Sequence, residues 1–217
     1  MNKKRIKVSP KYFLDPTDGE IFYFDEVLDK EVSKFDCQDK KGSRLIFEDR
    51  MQGWFFDPAL KLLDEANSSV VAVHIVTPLI EALECYKLGE SSDGQTTAFF
   101  KSQAKEIFPL LRNNTDALNL LHKGVRCGFA HQGFLKDDDD AYNILISLEV
   151  SDEPIIFDGL VMTIHARKYV EKINEAYKSY FNTLDRDADK LDKFYDMWKH
   201  QWRMKRKQLI EVSGTST

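Results

Sequence analysis

Arg126 and His131 stand five positions apart in Leu120-Leu121-His122-Lys123-Gly124-Val125-Arg126-Cys127-Gly128-Phe129-Ala130-His131-Gln132-Gly133-Phe134-Leu135, a cation and an imidazole among apolar residues and three glycines. Histidine titrates close enough to neutral pH to take a proton from a ribose 2′-hydroxyl. A planar guanidinium offers two donors to the negative charge that gathers around phosphorus as the phosphodiester breaks. The pair therefore suits metal-independent cleavage of RNA, leaving 2′,3′-cyclic phosphate and 5′-hydroxyl ends. On an ideal helix five steps of about 100° would put the two side chains roughly 140° apart, off a common face. Gly124 and Gly128 tolerate the backbone angles of a tight bend, so Arg126 and His131 are expected at a junction between two helices, with His131 near the start of a helix or turn.

Other chemistry-bearing residues are fewer. His74, Glu81 and Glu84 fall on an expected neighbouring helix, and Glu81 follows His74 by seven positions, on a similar face. Ordinary patterning makes these surface or interface charges; the alternative is that a carboxylate orients Arg126 or His131. Cys127-x3-His131, with Cys85, His122 or His74 added, lacks the paired spacing of structural zinc sites, so no metal is expected. Asp137 to Asp140 are adjacent and point in different directions, which reads as a solvated loop. Trp198 and Trp202 with Lys199, Arg203, Lys205, Arg206 and Lys207 form a basic-aromatic cluster able to follow a phosphate backbone while rings stack on bases. The plainer reading, preferred here, packs the two tryptophans on the domain or on a second subunit and leaves the cations wet.

The elements that must position these groups are mostly helical. Residues 1–44 form an extension packing on the core: Ile21-Phe22-Tyr23-Phe24 suits a strand, and Asp18-Gly19 allows a hairpin. Helical spacing starts at Leu45, and Asp57-Pro58 offers a cap and first-turn proline for a segment to about Ala66. Asn67-Ser68-Ser69 caps the next helix, which runs to Lys87, is kinked at Pro78 and ends at Gly89. After a polar loop, Phe99 to Leu111 builds another helix, and Asn113-Asn114-Thr115-Asp116 caps the one that delivers Arg126. Ile144 to Leu148 and Ile155 to Phe157 are expected to pair as a small hairpin closed by Asp158-Gly159, with a helix from about Val161 to Phe181. A last helix, Asp185 to about Ile210, begins acidic and turns basic, matching the helix dipole. Ser213 to Thr217 is expected to be disordered.

A chain of 217 residues, 42% hydrophobic and 12% aromatic, can bury a substantial core as one domain with extensions. Thirty-one basic against 36 acidic residues give a net charge of −5, which argues against a surface coated by polyanion while allowing a local basic patch. Three scattered cysteines make no disulfide framework, and the first residues lack the apolar stretch of a secretory signal, so a cytoplasmic protein is expected. The run Val70 to Ile80, broken by His74 and followed by Glu81 and Glu84, falls short of a membrane span. No Walker loop, nucleophile elbow or dinucleotide fingerprint occurs, and no cofactor is expected.

The stretch Arg126 to His131 resembles the R-x4-6-H motif of the HEPN superfamily, small helical domains of prokaryotic toxin and defence systems and of eukaryotic RNA-cleaving factors. The resemblance covers roughly residues 45–182 and implies a mostly α fold: an antiparallel helical bundle with a small β-hairpin insertion, followed over 183–217 by a C-terminal basic helix. It implies a metal-independent endoribonuclease in which Arg126 and His131 match the family's arginine and histidine. Two motifs would meet across a homodimer, with RNA as substrate and an antitoxin or other defence partner. Glu81, His74 and Cys127 would support the pair, and Lys199, Trp202, Arg203 and Arg206 would bind RNA. Cys127 departs from the pattern, since active members often carry Asn, Asp or His there. That departure favours a second expectation, a non-catalytic HEPN-like module for RNA binding or assembly. A third is a helical interaction protein unrelated to RNA, in which Arg126 and His131 are core and cap.

Overall fold

Helix dominates the chain, as the apolar spacing from Leu45 onward implied, and among the described residues two small sheets accompany it. The computed structural model describes the backbone of residues 6–14, 21–25, 30–35, 39–65, 68–128 and 143–214, and the side chains of 7–13, 39–65, 68–128 and 143–201. His131 and the aspartates at 137–140 lie outside the described residues. The chain forms two compact units, one of Met1–Glu48, Cys85–Ser91 and Phe181–Thr217, the other of Asp49–Glu84 and Ser92–Tyr180.

In the first unit, strands β1 (Ile6–Lys7), β2 (Tyr12–Leu14), β3 (Ile21–Asp25) and β4 (Lys30–Phe35) form an antiparallel meander in sequence order. Tyr12 faces Tyr23 and Leu14 faces Ile21, so β2 and β3 pair antiparallel, while the expected turn at Asp18-Gly19 lies outside the described residues. The same unit holds an aromatic cluster. Phe47, on helix α1 (Lys40–Arg50), lies 4.1 Å from the Tyr86 ring and 5.8 Å from Phe181, and Phe194 stacks on Tyr86 at 5.4 Å. Trp198 is buried beside Phe47 and Phe194. Phe194 and Trp198 come from the last helix, α7 (Ala188–Gly214), which Asp187 caps by accepting from the Lys190 amide. Two of the five residues expected to form a disordered tail, Ser213 and Gly214, are thus helical.

Helix α1 does not stop for Asp57-Pro58. A π-helical stretch, Met51–Phe56, carries it directly into α2 (Asp57–Leu62), with helical backbone angles at Arg50, Phe56 and Asp57. Pro58 has no N–H to give to the preceding turn, and the wider π turn sits where that bond would fall. The expected fresh start at Asp57 is therefore an interior adjustment of one long helix.

Helix α3 (Ser69–Leu88) runs through Pro78 and ends at Gly89, whose φ is +77°. The Gly89 amide bonds back to the Cys85 carbonyl as an i to i−4 bond, and the Glu90 amide to the same carbonyl as the i to i−5 bond of a Schellman-type ending. By length and composition α3 could cross a membrane, but 67% of its most apolar window is buried within the protein.

The second unit is built on α3, α4 (Thr96–Ile107), a 3-10 turn (Pro109–Arg112), α5 (Thr115–Leu120) and α6 (Ala166–Leu184). Tyr169 and Tyr177 of α6 fix it to α3: Tyr169 Oη lies 3.2 Å from Thr77 Oγ1, and Tyr177 donates to the Leu79 carbonyl at 2.9 Å. Phe108 stacks on Tyr169 and Phe56 meets Tyr177 edge-on.

The small sheet differs from the expected hairpin. Strands β5 (Asn143–Ser147), β6 (Ile155–Phe157) and β7 (Val161–His165) lie in the order β5-β7-β6. β5 runs parallel to β7, and the tight turn at Asp158-Gly159 joins β6 to β7. Val161 to His165 is strand rather than the start of a helix, because alternate residues Met162 and Ile164 are buried and the chain pairs on both sides.

Candidate functional site

Helix α5 starts where the asparagines placed it, with Asn114 Oδ1 accepting from the Ala117 amide at 2.9 Å. Ala117, Leu118, Leu120, Leu121 and Val125 bury its apolar side. From Leu121 to Cys127 the helix widens into a π-helical stretch. Such widened turns stack residue i over i+5 instead of i+4 and recur at functional sites. Cys127 consequently lies over His122, its Sγ 3.8 Å from Nε2. Gly124 belongs to this helical stretch and Gly128 keeps helical angles (φ −56°, ψ −51°), so these two glycines do not form the expected bend.

Arg126 projects from the π stretch to α3, where its Nη2 donates to Glu81 Oε2 at 2.9 Å. The other carboxylate oxygen, Oε1, accepts from Ser92 Oγ at 2.6 Å. The side chains of Arg126 and Glu81 are 20% and 12% exposed, so the pair sits at the edge of the interior rather than on the surface. Glu81 is thus not the surface charge that helix patterning suggested. Arg126 Nε is buried and has no acceptor among the described residues. A guanidinium anchored by one nitrogen and left with an unsatisfied buried donor is suited to an oxyanion.

His122 is the imidazole that the described residues bring to Arg126. It is buried, and its ring packs 5.4 Å from that of Phe100 on α4. Burial first, then the cations Lys101 and Arg126, push its pKa below the ordinary histidine value, with Glu81 acting in the opposite sense. Burial and the neighbouring cations thus favour its uncharged form. Lys101 itself donates to Asn119 Oδ1, one turn before His122.

Sequence reasoning drew His122 only as an added zinc ligand and missed Ser92, Lys101 and Asn119. An α-helical reading puts position 122 over 126, whereas the π register puts Cys127 there instead. His74 is exposed on α3 and does not share the buried setting of Glu81. Lys199 pairs with Asp196 at 2.8 Å and lies 4.8 Å from the Tyr195 ring centre. Trp202, Arg203 and Arg206 follow on α7, their side chains outside the described set. Trp198 is buried and presents no face for a base. Among the described residues no three His, Cys, Asp or Glu side chains converge to hold a metal.

Comparison with family models, with curated proteins and with solved structures finds no match to this chain.

Proposed function

We propose that the protein is a metal-independent endoribonuclease of HEPN type, an antiparallel helical bundle working as a cytoplasmic homodimer in a toxin or antiviral defence system. The observation that carries this reading is Arg126: fixed by Glu81, partly open, with a buried Nε that has no acceptor among the described residues. In the proposed reaction His131 takes the proton from a ribose 2′-hydroxyl. The 2′-oxygen then attacks the adjacent phosphorus and the 5′-oxygen leaves, giving a 2′,3′-cyclic phosphate. Arg126 meets the charge on the equatorial oxygens, where a fixed donor stabilises the transition state more than the ground state. Glu81 holds the guanidinium in position without touching substrate.

A second reading, a HEPN-like module that binds RNA or assembles without cutting, is favoured by Cys127. It stands where active members often carry a polar residue, and its thiol lies against His122.

The test is incubation of the full chain with mixed RNA in chelator, comparing wild type with Arg126→Ala and His131→Ala. Cleavage by wild type that both substitutions abolish supports the first reading. Cleavage that survives both overturns it, and binding without cleavage selects the second.

A further inference from the structure

We propose that Ser92 is a positioning residue that keeps the Arg126 guanidinium open to a phosphate, by holding the Glu81 carboxylate so that it engages Arg126 through one oxygen only. The inference rests on the RNA reading above and deepens it, from the arginine to the residue that sets how much of the arginine is left for substrate.

The contacts run through one carboxylate. Arg126 Nη2 donates to Glu81 Oε2 at 2.9 Å, and Ser92 Oγ donates to the other oxygen, Oε1, at 2.6 Å. An arginine and a carboxylate commonly pair as a fork, with two parallel N–H···O bonds. Nε and Nη2 share one edge of the guanidinium and can make such a fork with the two oxygens of one carboxylate. Here only half of that fork is made. Arg126 Nε is buried and has no acceptor among the described residues, while the oxygen that would complete the fork accepts from Ser92. A buried donor left without an acceptor is costly. The half-fork persists because the Ser92 bond, a short one to a charged acceptor, holds Oε1 where it is.

Ser92 is itself fixed. It lies in the loop between α3 and α4, where its carbonyl accepts from the Gln95 amide at 2.8 Å and from the Thr96 hydroxyl at 3.4 Å, closing a turn in which Gly94 has a φ of +74°. Thr96 begins α4, so the Ser92 hydroxyl is carried on backbone tied to that helix. Glu81 and Arg126 have side chains only 12% and 20% exposed, which leaves little room for water to take over the role of that hydroxyl. Without it, Oε1 is free to turn to Nε, and the completed fork occupies both donors of the edge. Arg126 then keeps its place in the fold and loses the donors a phosphate would take. The Ser92 hydroxyl therefore acts with opposite signs on the two properties, withholding one bond from the ion pair and leaving that donor for substrate.

The experiment compares the full chain of wild type, Ser92→Ala and Ser92→Thr by rate, stability and NMR. Steady-state cleavage of RNA in chelator is expected to give Ser92→Ala a kcat lower by about 10-fold, with KM little changed, the signature of a donor lost in the transition state. Ser92→Thr keeps the hydroxyl and is expected to keep the rate. Urea unfolding is expected to place the Ser92→Ala midpoint at or above that of wild type, the reverse of what a merely structural serine would give. The NMR resonance of the Arg126 Nε proton, assigned by its loss in Arg126→Lys, is expected to move downfield and to exchange more slowly with water in Ser92→Ala, where Nε gains the carboxylate as acceptor. In Ser92→Thr it is expected to stay in place. An unmoved resonance or an unchanged rate in Ser92→Ala, with wild type cleaving RNA, overturns this inference alone. Wild type that cleaves no RNA overturns it together with the reading beneath it.

Discussion

Arg126 and Glu81 meet at 2.9 Å, a guanidinium on the π-helical stretch after α5 against a carboxylate on α3, and Ser92 holds the far oxygen of that carboxylate. Both side chains are mostly shielded, so the contact is stronger than a surface ion pair, and removing one partner strands the other. Arg126→Ala and Glu81→Ala are each expected to cost about 2 kcal/mol in urea unfolding. The double variant should cost less than the sum, with a coupling of about 1–2 kcal/mol. Additive losses would mean that the two residues do not support one another.

Acid should expose the setting of His122. Its pKa in the folded chain is lowered from 6.5, so below that pH the unfolded chain binds a proton that the folded chain does not. The associated stability is fully present above pH 6.5 and is lost as the pH falls toward the folded pKa. Urea midpoints measured through this window should decline in wild type and decline less in His122→Asn. Equal declines would place the acid sensitivity elsewhere.

Gly89 and Gly94 separate two costs that one glycine usually combines. Both have positive φ, but a Cβ at Gly89 would stand 3.0 Å from the Lys193 carbonyl oxygen, whereas one at Gly94 meets nothing within 4 Å. Gly94→Ala should cost about 1 kcal/mol, the backbone term. Gly89→Ala should cost clearly more, since backbone atoms of α7 must move to admit the methyl. Equal losses of stability would remove the packing argument at Gly89.

Phe100 ties α4 to α5 beside the proposed site, and its side chain is fully buried. Phe100→Ala is expected to lose about 3–5 kcal/mol through lost burial and a residual cavity. Phe100→Leu should lose less. The His122 ring resonances should shift in both, and an unshifted imidazole would show that the ring contact does not set its environment.

Much of this was legible before any coordinates, where local chemistry decides. Asn114 as a cap, Gly89 as a stop and the β2–β3 pairing each depend on a few neighbouring residues, and each is present. Legibility failed where a distant partner or an altered helical register decides. Val161 to His165 becomes a strand because β5 and β6 flank it, and β5 comes from before the polar loop. Asp57-Pro58 carries start signals, yet a π stretch absorbs the proline inside one helix. At the site, the spacing along α3 singled out Glu81 and left two roles open, a surface or interface charge or a carboxylate orienting Arg126 or His131; Arg126, 45 positions away, is the partner the fold brings to it. The bend expected at Gly124 and Gly128 is missing because α5 opens into wider turns there, which also set Cys127 rather than Arg126 over His122 and which no residue type announces.

Single-turnover cleavage of RNA in chelator by wild type, Arg126→Lys and Arg126→Ala addresses the proposed role of Arg126 most directly. Loss of a transition-state donor predicts a rate about 10²–10³-fold lower for alanine, with lysine between because it keeps the charge and loses the planar pair of donors. Alanine cutting as fast as wild type, with its fold intact by thermal melting, would contradict the account.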